Sequence, residues 1–499
     1  MQLQKTVNIV THKSKDVLGH PRGLFILSFA ELFERFSYYG MRSLLILYMV
    51  SQLKYADERA YGIYGLYAAL AYAAPLIGGY LADKLIGFRR AIIMGSLVIA
   101  AGHFCMALPF GEAFFYTGLG LIISGTGLFK SNISALVGML YKKEDQRRDA
   151  GFTLFYLGIN AGGFLAPLIC GYIGTTYGWH YGFGIAGFGM ILGALILLIN
   201  SHHFSPVESP RFSGKKLSNV TLLGGLLAGP LFAGMVYANE TFSNILPVIG
   251  ILFLVYLVNI AAKSTSQERK NILALVLAIF LLLLSGALVE QSGMVLTLFI
   301  ERNVDRSLLG WTIPTAFFQS IDPLTVLLFG GLFSYLWMRL ARKGKDLQSS
   351  TKYALGFCFI GFSYFIIYMG CVSGQAEGGI SALWYAVIGM VFLSMGDICI
   401  YPVTLSLCSR LSPKNLEGVM MGGVMMGVSF SYLFGSSLAK LASLPEENLE
   451  SLDAVKSLTV YGDLFENMSL IALVCIAITL ISGLWMNKIT RAKQEVALT

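Results

Sequence analysis

The chain has 499 residues, 56% hydrophobic and only 13% charged, with a mean hydropathy of +0.68, which excludes an ordinary soluble domain. The net charge of +8 does not point to nucleic acid, because Lys and Arg fall in short loops between apolar runs rather than in one cluster. Many runs of about 20 apolar residues follow one another without the alternation of a β-barrel, so an all-α polytopic membrane protein is expected.

The predicted spans, in order, are about 23–50, 60–83, 88–108, 114–140, 150–175, 180–200, 218–238, 244–263, 271–299, 312–341, 352–373, 379–408, 416–441 and 464–487, roughly fourteen helices. The first 22 residues are polar and no cleavable signal peptide is expected. Basic residues recur on one side, from Lys5, Lys13 and Lys15 through Lys142, Lys143, Arg147 and Arg148 to Lys488, Arg491 and Lys493, which predicts both termini to be cytoplasmic. The clearest acidic loop on the other side holds Glu446, Glu447, Glu450 and Asp453. The expected organisation is a tail (1–22), a six-helix bundle (23–200), a linker with two accessory helices (201–270), a second six-helix bundle (271–487) and a tail (488–499). The accessory spans carry no charge before Lys263 and are read as structural.

Span one places Glu31, Glu34 and Arg35 at i, i+3 and i+4, with Tyr38, Tyr39 and Arg42 at i+7, i+8 and i+11, all on one helical stripe. Each intramembrane charge costs roughly 2.5–3.5 kcal/mol at a helix centre, so this stripe needs polar partners and is the leading functional candidate. After span two, GGYLADKLIGFRR sets Asp83 near a helix end, where Arg89 and Arg90 can bind its carboxylate or neighbouring carbonyls as a cytoplasmic latch. Span four holds Lys130 in mid-run, and span five holds Asn160 among glycines. Span seven contains Glu290 followed by Gln291, span eight has Asp322 before Pro323, read as a proline break, and span ten sets Asp397 and Tyr401 at i and i+4.

The seven cysteines have no metal-ligand or disulfide spacing and are read as small core residues. The histidines lie mostly in loops or near span ends, and no relay role is expected of them. Lys54, Arg59, Glu301, Arg302, Asp305 and Arg306 are read as solvated loop charge in preference to a gate. No HExxH, Ser-His pairing or Cys/His cluster suggests an enzyme, and no long polar segment suggests a receptor.

ELFERF with its tyrosines, GTGLFKSNIS, FYLGINAGGFLAP and GWHYGF together resemble the proton-coupled oligopeptide transporter (POT/PTR) family, bacterial type, along essentially the whole chain. GGYLADKLIGFRR is similar to the cytoplasmic loop motif of the major facilitator superfamily. The resemblance implies a major facilitator fold of two six-helix bundles plus two extra helices, in the bacterial inner membrane. It implies that Glu31, Glu34 and Arg35 form the proton-coupling ExxER motif, that Arg35 and Lys130 receive a peptide carboxylate, and that Tyr38, Tyr39, Tyr72 and Asn160 line the pocket with Arg42 on the same face. Glu290 and Asp322 join as proton-coupling and substrate-binding candidates. The family usually has asparagine at Asp322, glutamate at Asp397 to receive the substrate amine, a small hydroxyl residue at Tyr401, and often tryptophan near Phe430. These departures imply a reshaped amine side. The function implied is proton-coupled import of dipeptides and tripeptides by alternating access; the alternative is another small anion or zwitterion, such as nitrate or an amino-acid conjugate. No cofactor is expected beyond the coupling proton. The expected partners are short peptides and the lipid bilayer, with no nucleic acid, and a monomer is expected to suffice.

Overall fold

A computed structural model describes residues 16–142, 145–203, 215–345, 347–413, 416–444 and 454–498. The basic N-terminal tail before residue 16 and the acidic loop with Glu446, Glu447, Glu450 and Asp453 lie outside the described residues. The long helices are α1 (Arg22–Ser51), α2 (Asp57–Leu81), α3 (Phe88–Ala107), α4 (Glu112–Met139), α5 (Arg147–Tyr177), α6 (Trp179–Ile199), α7 (Lys215–Tyr237) and α8 (Asn239–Lys263). They continue with α9 (Ser266–Val289), the short α10 (Val295–Asn303), α11 (Ile321–Arg342), α12 (Ser349–Ala376), α13 (Leu383–Leu411), α14 (Glu417–Lys440) and α15 (Ala454–Leu498). Thirteen helical segments among the described residues are long and apolar enough to cross a membrane. α1, thirty residues long, is the fourteenth of the expected helices and differs from these in carrying the charged stripe of Glu31, Glu34, Arg35 and Arg42.

Most predicted spans coincide with these helices to within a few residues; the last, predicted over 464–487, is part of the longer α15, Ala454–Leu498, and others depart where local geometry leaves no periodic signature. α8 begins at Asn239 rather than near 244, which brings Glu240 into a helix read from sequence as free of charge before Lys263. The ninth span is broken by a 3-10 turn at Glu290–Gly293 before α10 resumes. Pro323 is not a break inside a helix. It sits in the first turn of α11, where a missing backbone donor costs nothing, behind a 3-10 segment at Thr315–Ser320.

The chain divides into two compact units. One comprises residues 1–39, 74–163 and 183–233. Its core joins Leu24, Leu27 and Ala30 of α1 to Ile92 and Ile99 of α3, Phe129 and Ile133 of α4, and Met190 of α6. α2 and α4 meet backbone to backbone in this unit, since a Cβ on Gly78 would lie 1.9 Å from the Gly127 carbonyl oxygen. The other unit comprises residues 40–73, 164–182 and 234–499. Its helices are tied by an aromatic group in which Phe465 of α15 meets Tyr364 of α12, Phe299 of α10 and Tyr461. Strands of two residues occur only as local ties among the described residues, β1 (Val304–Asp305) pairing in parallel with β4 (Ser381–Ala382) and β2 (Ser307–Leu308) antiparallel to β3 (Trp311–Thr312). Cys358 is exposed on α12 and Cys105 partly exposed on α3, so the reading of the cysteines as core residues holds for the other five alone. Both exposed positions lie on helices whose outer faces are apolar, where a small thiol needs no burial.

Candidate functional site

The first-helix stripe folds onto itself as its spacing demands. Arg35 Nε lies 3.2 Å from Glu31 Oε1, one turn earlier, and its Nη2 pairs with Glu34, all three side chains being almost fully buried. The guanidinium sits 5.4 Å from the ring centroid of Tyr38, which in turn meets Tyr39 edge to face. Lys130 of α4 is close enough for its charge to act on Glu31 together with that of Arg35. The unit containing residues 1–39 thus collects two carboxylates and two cations. Asn160 of α5 is also buried here, and its amide donates to the Tyr156 carbonyl of its own helix at 3.0 Å rather than across helices. Asp83, in a π-helical turn at Ala82–Ile86, is held by Lys84 at 2.8 Å on an exposed surface. Arg89 and Arg90 begin α3 just beyond the turn, after Gly87 with φ +83°.

A second cluster lies in the other unit. Arg42 Nη2 donates to Glu290 Oε2 at 2.6 Å, and its Nε donates to the Tyr64 hydroxyl at 2.6 Å. The 3-10 turn that interrupts the ninth span is what aims Glu290 at Arg42. Gly293 closes that turn, and a Cβ there would lie 2.0 Å from the Tyr64 oxygen. The Tyr432 side chain of α14 neighbours Glu290 and packs on Tyr72, the ring centroids 5.3 Å apart and the planes tilted by 31°. Asp322 lies against the Ser394 side chain and within the field of Arg42, while Asp397 feels the charges of both Asp322 and Glu290. Tyr401 follows Asp397 by one turn on α13. Two carboxylates, Glu290 and Asp322, therefore lie within the field of Arg42, and a third, Asp397, adjoins them. If all are ionised, two negative charges exceed what Arg42 balances, and in a low-dielectric setting such a cluster is completed by a proton or by a cationic guest such as an ammonium group. Among the described residues no group of three or more His, Cys, Asp or Glu is arranged to hold a metal.

Residues 89–456 match the sequence pattern of the POT family. The chain belongs to the POT family. It is 35% identical over 445 residues to the peptide transporter YePEPT of Yersinia enterocolitica, covering 83% of this chain and 86% of that one. A solved peptide transporter POT in complex with sulfate matches with a TM-score of 0.82 at 30% identity, over 95% of this chain and 97% of that one. A POT family transporter in complex with 5-aminolevulinic acid matches with a TM-score of 0.82 at 28% identity, over 97% and 100%. This POT family chain is therefore a membrane transporter with the major facilitator fold, not an enzyme.

In this POT family member the structure also corrects the reading of the loop charges. Arg302 is not solvated: both its terminal nitrogens reach Asp57, at 2.7 and 2.8 Å, and it donates to the Tyr461 hydroxyl at 2.9 Å. The Asp57 side chain is fully buried and also accepts the Leu444 backbone N–H at 3.3 Å. Glu301 likewise pairs with Arg306 at 3.3 Å and accepts from Thr315. Asp57 lies before the second predicted span, which starts near 60, and its partner stands 245 positions away. His103 lies one turn from the end of α3, as the span-end reading has it, and is fully buried there. Phe430 faces the accessory helix α8, where it packs on Gly250.

Proposed function

We propose that the chain is a proton-coupled symporter that imports dipeptides and tripeptides across the bacterial inner membrane by alternating access, with both termini cytoplasmic. The observation that carries this reading is Arg35, a buried cation held by two carboxylates on its own helix. While Glu31 and Glu34 are ionised, they occupy the guanidinium. Protonating one of them removes a partner from a buried charge, and an incoming peptide carboxylate can replace it at Arg35, with Lys130 beside it. Arg35 thereby links proton uptake to substrate uptake. The amine end of the peptide would go to Asp397, which belongs to a carboxylate cluster short of positive charge, while Glu290 and Asp322 exchange the proton with Arg42. Tyr38, Tyr39, Tyr72, Asn160 and Tyr401 would supply neutral donors and acceptors that suit any peptide backbone. Asp83, Arg89 and Arg90 would act at the cytoplasmic end. YePEPT, a peptide transporter, supports the substrate class.

Purified protein in liposomes tests this: labelled dialanine should accumulate only under an inward proton gradient. Glu34→Gln should abolish that accumulation and leave downhill exchange measurable. Full accumulation by the variant would overturn the coupling role.

One observation favours a second reading, transport of another small zwitterion, because a POT family structure holds 5-aminolevulinic acid. Competition separates the two. Inhibition of dialanine uptake by dipeptides but not by 5-aminolevulinic acid, free alanine or nitrate supports the peptide reading.

A further inference from the structure

α8 is a long apolar helix with little protein around it, side chains such as Ile249, Leu252 and Val255 being exposed. Along it, where α8, α9 and α14 diverge, runs a groove of about 920 Å³. The walls are apolar, formed by side chains such as Leu254, Leu257, Leu277 and Phe280. Ile251, Leu254 and Val255 of α8 are exposed, so the groove opens sideways to the hydrocarbon. Its axial run from Glu240 to Leu257 is about 25 Å at 1.5 Å per residue, comparable with the roughly 30 Å of a bilayer's hydrocarbon core. Such a shape takes an extended acyl chain.

One end of the groove is charged. Glu240 of α8 and Lys440 of α14 line it, and Lys440 Nζ lies 3.6 Å from Glu58 Oε1. With Glu58, Glu240 and Lys440 ionised these three groups carry a net charge of −1, with Lys440 the cation among them. An anionic headgroup would meet more negative charge than positive. A headgroup with both a phosphate and a primary ammonium can pair its phosphate with Lys440 and its ammonium with the carboxylates. We infer that this groove binds a zwitterionic, primary-amine phospholipid, its phosphate at Lys440, its ammonium at Glu240 and Glu58, and an acyl chain lying between α8, α9 and α14.

Native mass spectrometry of the detergent-purified full chain tests this, titrating dioleoyl phosphatidylethanolamine against dioleoyl phosphatidylglycerol. The amine lipid should form one saturable adduct at about tenfold lower concentration, the effect of one charge-assisted hydrogen bond. Glu240→Gln should erase most of that preference, whereas Lys440→Gln, which removes the partner of the phosphate common to both lipids, and Leu277→Trp, which fills the groove, should weaken adducts of both. As a measurement independent of any variant, the amine lipid should raise the thermal midpoint of the wild-type protein more than phosphatidylglycerol does. Equal adduct formation and equal midpoint shifts by the two lipids would overturn the proposal. So would a preference that survives Glu240→Gln undiminished.

Discussion

At the scale of single residues, charge pairing decides which side chains are expensive to lose. Arg42 and Glu290 are bonded at 2.6 Å with side chains only 10% and 17% exposed. Removing one partner of a buried pair leaves the other desolvated, a loss of about 3–5 kcal/mol, whereas an apolar pair of similar volume is often tolerated. Glu290→Ala should therefore lower the thermal midpoint of the solubilised protein clearly, and Arg42→Met with Glu290→Met should recover most of the loss. Equal losses in both variants would show that the cost does not come from leaving one charge unpaired. His103 gives the opposite case. Its ring is fully buried in α3, and among the described residues neither nitrogen has a hydrogen-bond partner. A buried polar group left unsatisfied costs about 1–3 kcal/mol, so His103→Leu should raise the midpoint and leave proton-driven uptake unchanged. Loss of gradient-driven uptake in that variant would instead place His103 on a proton path.

At the scale of elements, the helices were legible because long apolar runs in a membrane have one backbone solution, with every peptide group bonded within its own segment. What the runs could not carry were the interruptions. The 3-10 turn at Glu290–Gly293 and the early start of α8 at Asn239 lie inside stretches whose composition does not change. The turn preceding α5 shows how side chains fix such junctions. Arg147 bonds Asp145 through Nε at 3.1 Å and Nη2 at 2.9 Å, and its Nη1 reaches Asp16 at 2.9 Å and the Gly19 carbonyl at 2.8 Å, tying the entry to α1 to the entry to α5. These bonds hold the exposed Asp145 carboxyl below the usual carboxylate range. A depressed carboxyl contributes above its unfolded pKa and loses that contribution as pH falls through its folded one. The tie should thus be intact from neutral pH down to the ordinary carboxylate range near about 4 and weaken only below it. Hydrogen exchange at residues 16–21 should be accelerated at neutral pH by Arg147→Ala; no change would mean that the tie does not hold this segment. Where backbones themselves touch there is no such latitude. Gly78→Leu should separate α2 from α4 at the Gly127 carbonyl and reduce the yield of folded protein, measured as monodisperse material after solubilisation.

At the scale of the whole molecule, the site was half legible. Glu31, Glu34 and Arg35 fall on one helix, so their spacing alone announces the contact. Arg42 with Glu290, and Asp57 with Arg302, stand 248 and 245 positions apart, and nothing local to either residue names its partner. Those long-range bonds share a feature that bears on transport. Within the unit comprising 40–73, 164–182 and 234–499, they join early parts of the chain to late ones, as do Ser429 Oγ to the Ala69 carbonyl at 2.8 Å and Ser320 Oγ to the Phe164 carbonyl at 2.8 Å. Under the alternating access proposed above this set would break and re-form in each cycle, and polar bonds suit a reversible closure because their groups can bond to water when the partners separate. A covalent bond in the same place would not be reversible. With Cys105 and Cys358 replaced by serine, Ala69→Cys paired with Ser429→Cys and treated with a short bifunctional thiosulfonate should stop peptide uptake by liposomes, and reductant should restore it. Each single cysteine variant under the same treatment should keep its activity. Undiminished uptake by protein shown on gels to be fully cross-linked would mean that this closure never opens during transport, and alternating access through it would have to be abandoned.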